Sequence, residues 1–314
     1  MKDGMKRRAR WPRRRALIGA AVATALLGGG LWARPAGAYS AAGDRLFPAT
    51  LLLPQITPGD EFYVNGQTLP LSGGAAGAPT RSSNFTATYS KTLTERLGVV
   101  VDGTFTRLDT SGGGALFGWQ NLDTELKYLA LDNHPHEFLI SLGLDREFGG
   151  TGGPPVGAFA SGATTPRVYF GKGLGDLDIG YLRPLAVSGF VGYQIADARP
   201  RPSLATGGLV VEYSFPYLLS KVAALDLPPI LRGLTAMTEF QFSTPAGGES
   251  FGARTTALFG PGVSYAGEGW ELAIEGLVPA SRATGRGIGV TAQLHLSLDY
   301  LAGETIGRPL LSNP

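Results

Sequence analysis

Acidic side chains recur at alternate positions in several stretches of the sequence, and this spacing would let them act together as a charged or hydrogen-bonded surface. Alternate residues of a β-strand face the same side, so these acids would share one polar face with a few bases, such as Lys127 and Arg146. Two interpretations stay open: an acidic lumen that favours cations or polar solutes, or a hydrogen-bonded network that fills and stabilises a narrow barrel. The candidate lumen-lining residues are Asp102, Asp123, Glu125, Lys127, Glu137, Asp145, Glu212, Glu239, Glu271, Glu275, His295 and Asp299.

A second candidate group is His295 with Ser297 and Asp299, two and four residues further along. These residue types supply the base, nucleophile and orienting carboxylate of an acyl-transfer enzyme. Side chains at these positions of one strand lie in a row, however, which does not give the geometry of a triad. We therefore interpret His295 as a hydrogen-bonding residue of the lumen, and the sequence predicts no enzyme and no catalytic residue.

The segment His134-Pro135-His136-Glu137 is the densest group of potential metal ligands. Two imidazoles two residues apart, followed by a carboxylate, suit copper or zinc. Pro135 and the preceding Asp132-Asn133 indicate instead a solvated turn between two strands. The sequence thus predicts no metal site and no cofactor, and the absence of cysteine excludes disulfides and thiolate ligands.

The first 38 residues have the character of a secretory signal peptide. A basic region ends at Arg15, an apolar stretch runs from Ala16 to Trp32, and Pro35-Ala36-Gly37-Ala38 supplies a small-residue cleavage site. Residues 1–38 hold nine of the 27 Lys and Arg residues and one acid, so the rest of the chain has a net charge of −6. No nucleic-acid partner is therefore expected. No later stretch approaches 18 apolar residues, so we expect no membrane-spanning helix.

Apolar and polar residues alternate repeatedly after about residue 82, which predicts half-buried β-strands. Six stretches alternate cleanly: Val99–Phe105, Leu122–Ala130, Glu137–Asp145, Leu209–Phe215, Trp270–Gly276 and Ile288–Tyr300. Five alternate less cleanly: Asn84–Ser90, Arg167–Lys172, Val187–Ile195, Leu234–Ser243 and Thr256–Tyr265. A twelfth strand over Glu61–Asn65 is weaker still.

Three features of these strands favour a membrane. The three longest clean stretches, of 9, 9 and 13 residues, are close to the roughly 9–11 residues of a tilted crossing. The apolar sides of the strands carry almost no charge, and aromatic residues such as Tyr89, Phe105 and Tyr128 lie near their ends. Since hydrocarbon offers no hydrogen-bond partners to the backbone N–H and C=O groups of an open sheet edge, the sheet must close. We predict an all-β fold, a closed antiparallel transmembrane β-barrel of about 12 strands, within a range of about 10 to 14. A soluble β-sandwich or lipocalin-like barrel is the alternative.

The predicted organisation has four parts. Residues 1–38 are the signal peptide, 39–80 an irregular N-terminal extension or plug, 81–300 the β-barrel and 301–314 a C-terminal tail. Within the barrel, 216–233 is interpreted as a structured loop or cap at one mouth, with a short helix over 217–222.

Two stretches, Glu212-Tyr213-Ser214-Phe215-Pro216-Tyr217-Leu218 and Leu296–Tyr300 followed by Ile306–Leu310, carry a family resemblance. With the strand pattern, they make the chain resemble the transporter-like outer-membrane barrels grouped with the phenol-degradation-pathway proteins. The resemblance implies insertion by the barrel-assembly machinery, which recognises an amphipathic last strand. It also implies transport of small molecules, hydrophobic ones among them, and it supplies no site residues.

The sequence therefore predicts a porin-like protein of the cell outer membrane in a Gram-negative-type bacterium. The expected function is a passive channel or transporter for small solutes. The alternative is a closed structural or scaffold barrel whose loops bind another envelope component. The expected partners are outer-membrane lipid, the barrel-assembly machinery and a small-molecule solute, with no nucleic acid.

The closed-barrel prediction can be tested by electrophoresis of the membrane-fractionated protein in detergent, with and without boiling. A closed barrel resists unfolding in detergent, so the unboiled protein in outer-membrane fractions should migrate differently from the boiled protein. An unshifted band in the soluble periplasmic fraction would instead indicate the soluble β-sandwich.

Overall fold

The computed structural model describes residues 40–71 and 77–311 of the 314-residue chain. The predicted signal peptide, residues 1–38, lies outside the described residues. Fifteen strands are present in this part of the chain, and the first two form a separate hairpin. In order, the strands are β1 Ser40–Ala42, β2 Arg45–Phe47, β3 Glu61–Pro70, β4 Pro79–Thr92, β5 Leu97–Thr110, β6 Ala115–Trp119, β7 Leu122–Asn133, β8 Phe138–Phe148, β9 Ala163–Gly173, β10 Leu185–Ala196, β11 Leu204–Ser214, β12 Leu234–Pro245, β13 Thr256–Ala266, β14 Trp270–Pro279 and β15 Gly289–Ser297.

The sheet β3–β15 closes on itself, with every neighbouring pair antiparallel. Strand β3 pairs with β4 on one side and with β15 on the other, over Glu61↔Ser297 to Thr68↔Val290. Strand β5 pairs with β7 in its first half and with β6 in its second half. Between them the backbone N–H of Gln120 donates to Thr104 O at 2.8 Å, so β6 and β7 together occupy one position in the barrel. The predicted closed barrel of 12 strands is confirmed.

Helical segments lie only in the connections and the tail of the described chain. Grouped by type, they are the 3₁₀ turns His134–His136, Pro154–Val156, Gly180–Leu182 and Pro229–Gly233, the α-helical turns α1 Phe215–Tyr217 and α2 Leu298–Ala302, and the π-helical turn Leu218–Val222. The helix predicted over 217–222 is therefore confirmed. In the part of the chain that the structure describes, no helix has both the length and the apolar character needed to cross a bilayer.

The strand boundaries differ from the predicted ones at both ends of the barrel. The predicted barrel began at residue 81, but β3 lies within the predicted N-terminal extension and supplies the closing pair with β15. Its alternation is weak because Gly66 and Thr68 occupy outward positions where apolar side chains were expected. The last strand ends at Ser297 and not at Tyr300, because Leu298–Ala302 turns into a helix.

The two faces of the sheet have opposite character. Outward side chains are apolar and remain accessible: Phe85, Leu142, Leu144, Val191 and Ile274 each expose about half of their surface. The buried core lies inside the barrel, where Leu139, Tyr169, Phe190 and Val210 pack against residues of the N-terminal segment. The accessible outer face is the surface that lipid would cover.

The two ends of the barrel carry different parts of the chain. The terminal end carries the start of β3 and the end of β15. The loop end carries the connections 111–114, 149–162, 197–203, 246–255 and 280–288, together with the connection between β3 and β4, of which residues 71, 77 and 78 are described.

An arginine on the outer face should destabilise the barrel. Leu142→Arg, in the middle of β8, would place a charge in hydrocarbon, with an expected loss of about 2–4 kcal/mol in the free energy of unfolding. Leu177→Arg is the control, since Leu177 is exposed in the connection between β9 and β10. Urea unfolding in liposomes measures both variants. Equal losses would contradict the proposed lipid-facing surface.

Candidate functional site

The interior of the barrel is the candidate site, and most predicted lumen-lining residues lie on its inner face. Ten of the twelve belong to strands and alternate with outward apolar neighbours: Asp102, Asp123, Glu125, Lys127, Asp145, Glu212, Glu239, Glu271, Glu275 and His295. Eight of these ten are buried, and Asp102 and Asp123 are half-buried. Their part in solute passage stays a prediction.

Two predicted lumen residues lie outside the strands. Glu137 precedes β8 in a turn, where its φ of 47° breaks the extended conformation. Asp299 lies in α2, beyond the last strand, and accepts a hydrogen bond from Ser297 Oγ at 2.6 Å. Both residues lie at the terminal end. They were predicted as strand residues because the sequence alternation continues beyond the residues that pair in the sheet.

Arg167, on β9, is the interior base that the sequence analysis missed. Its guanidinium lies 3.0 Å from Asp145 and 3.6 Å from Glu125. Lys127, as predicted, lies close to an acid, 3.4 Å from Glu125. Arg146, the other predicted partner, faces outward and forms hydrogen bonds of 2.7 and 2.5 Å with Asp197 instead. Arg167 lies on the same face of β9 as the buried Tyr169. The alternation of apolar and polar residues in this stretch was too irregular to predict which residues face inward.

The N-terminal segment 40–60 enters the barrel and is held there by interior side chains. The carboxylate of Glu239 accepts hydrogen bonds from three consecutive backbone N–H groups, those of Leu51, Leu52 and Leu53, at 2.6, 3.0 and 3.0 Å. Gln241 donates to Leu52 O at 2.8 Å, and Glu271 accepts from the backbone N–H of Ala49 at 3.2 Å. These contacts satisfy backbone groups that would otherwise be buried without partners.

Inward glycines on the strands leave room for this segment. At Gly208 an added Cβ would lie 2.7 Å from Leu53 Cδ2, and at Gly171 it would lie 2.8 Å from Ile56 Cδ1. Real Cβ atoms do not approach other heavy atoms so closely. No local sequence pattern marks the glycines that face an internal segment.

A buried ion pair fixes the hairpin β1–β2 at the terminal end. Arg45 is fully buried, lies 3.3 Å from Glu137, and donates to the backbone oxygens of Arg183, Pro184 and Leu185. Its guanidinium also stacks on the ring of Tyr217, 3.9 Å from the centroid.

Tyr217 completes this cluster by donating a hydrogen bond to Glu137 at 2.7 Å. Burial and, after it, the hydrogen bond to Glu137 together raise the pKa of the Tyr217 hydroxyl to about 12. The hydroxyl therefore remains protonated, and able to donate, up to strongly alkaline pH.

A second cluster joins the N-terminal segment to the C-terminal tail. Asp60 lies 2.5 Å from Lys91 Nζ and accepts hydrogen bonds from both the backbone N–H and the hydroxyl of Thr92. The same ammonium group donates to the backbone oxygens of Ile306 and Arg308 at 2.9 and 2.6 Å. The tail after β15 is therefore anchored against the barrel.

The row His295, Ser297 and Asp299 is not arranged as a triad. His295 Nε2 lies 3.2 Å from Glu61 on the neighbouring strand, while Ser297 donates to Asp299. The imidazole of His295 therefore faces Glu61 on β3, and the hydroxyl of Ser297 bonds to Asp299 and not to His295.

The histidines of the His134–His136 turn are held apart by different carboxylates. His134 lies 2.7 Å from Asp132, His136 lies 3.3 Å from Asp176, and Glu137 points to Arg45. Over residues 40–71 and 77–311, no three His, Asp or Glu side chains come close enough together to hold a metal ion.

A cavity of about 510 Å³ lies at the loop end. Ends of β10, β11, β12 and β13 contribute inward side chains to it, and four connections form its rim. Apolar side chains, including Phe159 and Leu204, supply part of the lining, and Arg201 and Arg254 are its charged members. Arg201 is buried and forms an ion pair with Glu147.

The closed antiparallel sheet, its apolar outer face and its polar interior define the class of protein. A barrel with these properties is the architecture of outer-membrane proteins, and the chain is an outer-membrane β-barrel.

Comparison with known proteins supports that class. No protein-family model and no curated protein matches the sequence. Among solved structures, the chain is similar to the COG4313 outer membrane channel from Pseudomonas putida F1, with 13% identity, a TM-score of 0.54, and coverage of 80% of this chain and 99% of that one. It is also similar to the KdgM porin (12% identity, TM-score 0.46, 76% and 98% coverage) and the NanC porin (9%, 0.47, 75% and 98%). At these identities the likeness concerns the fold.

The buried ion pair of Arg45 should hold the N-terminal hairpin in place. Arg45→Met would leave Glu137 buried without its cation, at an expected cost of about 3–5 kcal/mol. Lys221→Met is the matched control, because Lys221 tethers the same hairpin through an exposed pair with Asp44, and such pairs contribute about 0–1 kcal/mol. Thermal unfolding and limited proteolysis of residues 40–60 measure the difference. Equal behaviour of the two variants would show that the buried cluster does not hold the hairpin.

Proposed function

We propose that the chain forms a channel for small solutes in the outer membrane. The observation that carries the proposal is the closed barrel of 12 strands, which encloses a polar interior and has a cavity of about 510 Å³ at one mouth. The similar fold of a protein described as an outer membrane channel supports it. Passage of hydrophobic solutes, implied by the resemblance to the phenol-degradation-pathway group, stays a prediction.

The proposed orientation places the loop end outside the cell. Outer-membrane barrels combine short periplasmic turns with longer external loops. Three of the five connections between strands at the terminal end have three or four residues, whereas five of the six at the loop end have seven to fourteen. The connections 174–184 and 215–233 are the exceptions at the terminal end, and the helical turns of 215–233 form a structured cap at the proposed periplasmic mouth.

We further propose that the N-terminal segment restricts the channel. Phe47, Leu53 and Ile56 are almost completely buried inside the barrel, and Lys127 donates to Gln55 O at 2.5 Å. A solute that enters from the loop end must therefore pass this segment or displace it. In this proposal, the segment before β3 is the N-terminal extension, strands β3 to β15 form the barrel, and the residues after β15 are the tail.

The second candidate function is a closed scaffold barrel. The density of buried contacts around the N-terminal segment favours it, because a lumen filled in this way needs no conducting state. In that case the loops would bind another envelope component, and the interior charges would only stabilise the barrel.

Conductance in planar bilayers separates the two functions and tests the role of the segment. The wild-type protein should give open-channel steps. Glu239→Gln should increase the mean conductance, because an uncharged amide holds the three backbone N–H groups of the N-terminal segment less firmly than a carboxylate does. Glu212→Gln is the matched control: Glu212 is equally buried, and its carboxylate has no hydrogen-bond partner among the described residues.

Two outcomes would count against these proposals. A folded, heat-modifiable barrel without conductance, in the wild type and in both variants, would favour the scaffold. Conductance that responds equally to the two substitutions would leave a channel but remove the N-terminal segment as its restriction.

A further inference from the structure

The connections at the two ends of the barrel carry opposite charge. The six connections at the loop end contain five arginines and two carboxylates: Arg199, Arg201, Arg254, Arg282, Arg286, Asp197 and Glu249. The connections and tail at the terminal end, 93–96, 134–137, 174–184, 215–233, 267–269 and 298–311, contain eight carboxylates and five bases. The field at the loop end therefore favours anions, although the interior below it is rich in acids.

Two of the five arginines at the loop end line the cavity there. Its lining includes Arg201 and Arg254, and no carboxylate is among the described residues that line it. Arg254 is exposed and forms no ion pair with any residue in the described ranges. It is therefore a cation that a solute can approach.

Arg201 is a second, more rigid donor in the same cavity. Its side chain is 5% exposed, and both of its terminal nitrogens bond to Glu147. Nη1 also donates to Ser161 O at 2.8 Å. These bonds use three of the five N–H donors of a guanidinium. The guanidinium carbon of Arg201 lies 4.6 Å from the centroid of the Phe159 ring.

Asn121 fixes the connection that carries Phe159. Its amide donates to Phe159 O at 2.8 Å and to Glu147 Oε1 at 2.6 Å, and its side-chain oxygen accepts from the backbone N–H of Gly152 at 2.9 Å. The carboxylate that orients Arg201 is therefore itself held in place.

The rest of the lining is apolar or uncharged. Leu204, Pro202 and Ala253 supply apolar surface, and Gln194 and Ser243 supply uncharged polar groups. A cavity of about 510 Å³ lies within the range of small-molecule sites. Two guanidinium groups beside apolar surface are complementary to a molecule that has an anionic head and an apolar body.

We propose that this cavity binds small organic monoanions, such as carboxylates with a short apolar chain, before they enter the barrel. The proposal rests on the proposed channel function, since it assigns a class of solute to the mouth of the same lumen. Arg254 attracts and pairs with the anionic head, Arg201 offers its remaining donors, and Leu204 and Phe159 contact the apolar body.

The test measures binding of hexanoate to the full mature protein in nanodiscs of zwitterionic lipid by isothermal titration, with empty nanodiscs subtracted. Hexanol and hexylammonium are the matched probes, because they keep the chain and replace the anionic head by a neutral or a cationic one. Hexanoate should bind saturably and more tightly than both, and added salt should weaken its binding.

Arg254→Gln should weaken hexanoate binding by about fivefold, the scale of a solvent-exposed ion pair. Arg232→Gln is the charge-matched control, since Arg232 is exposed at the terminal end, and it should leave binding unchanged. Heat-modifiability verifies that each variant is folded. Equal binding of hexanoate and hexylammonium, or equal effects of the two substitutions, would overturn the anion site.

Conductance of the same preparations distinguishes failure of the site from failure of the channel. Hexanoate binding that depends on Arg254 in an electrically silent barrel would support the mouth site and overturn the channel function. Open-channel steps together with hexanoate binding that Arg254→Gln leaves unchanged would support the channel and overturn the mouth site.

Discussion

The backbone of a β-sheet in hydrocarbon must leave no N–H or C=O group unpaired, and the rest of this structure depends on that constraint. The pairing of β3 with β15 satisfies it by joining the first and last strands of the sheet. Once the sheet is closed, alternate residues can no longer share an environment. Phe85 and Leu142 face outward as hydrocarbon-compatible surface, and Glu125 and Glu239 face a confined interior.

Closure creates a second problem inside the barrel, because a peptide segment placed there also needs partners for its backbone. The interior supplies them from strand side chains: Glu239 accepts from Leu51, Leu52 and Leu53, and Gln241 and Lys127 donate to the carbonyl oxygens of Leu52 and Gln55. Glu239 and Glu271 therefore bind the backbone of the chain's own N-terminal segment, as the stabilising-network interpretation expects. The solute path stays a prediction.

The ends of the barrel differ in the way that they are held. At the terminal end, Arg45, Glu137 and Tyr217 form a buried cluster that locks the hairpin, and Lys91 anchors the tail. At the loop end, Arg201 is oriented by Glu147, and the exposed Arg254 lines the cavity. The terminal end thus anchors the hairpin and the tail, and the loop end carries the cavity.

The sequence by itself determined the class of fold, the number of strands to within about two, and the face on which ten of the twelve candidate residues lie. Period-two alternation is a local property, so Val99–Phe105 or Trp270–Gly276 reveals its two faces without any knowledge of its neighbours. Where alternation was weak, the strand over Glu61–Asn65 was predicted too short to reach Gly66, and the face of Arg167 was missed. Only the tertiary structure decided which groups meet across the lumen, such as Glu239 with Leu51 to Leu53, or Arg167 with Asp145. Those contacts join residues that are distant in the chain, and they exist only after the sheet has closed and fixed the stagger of its strands.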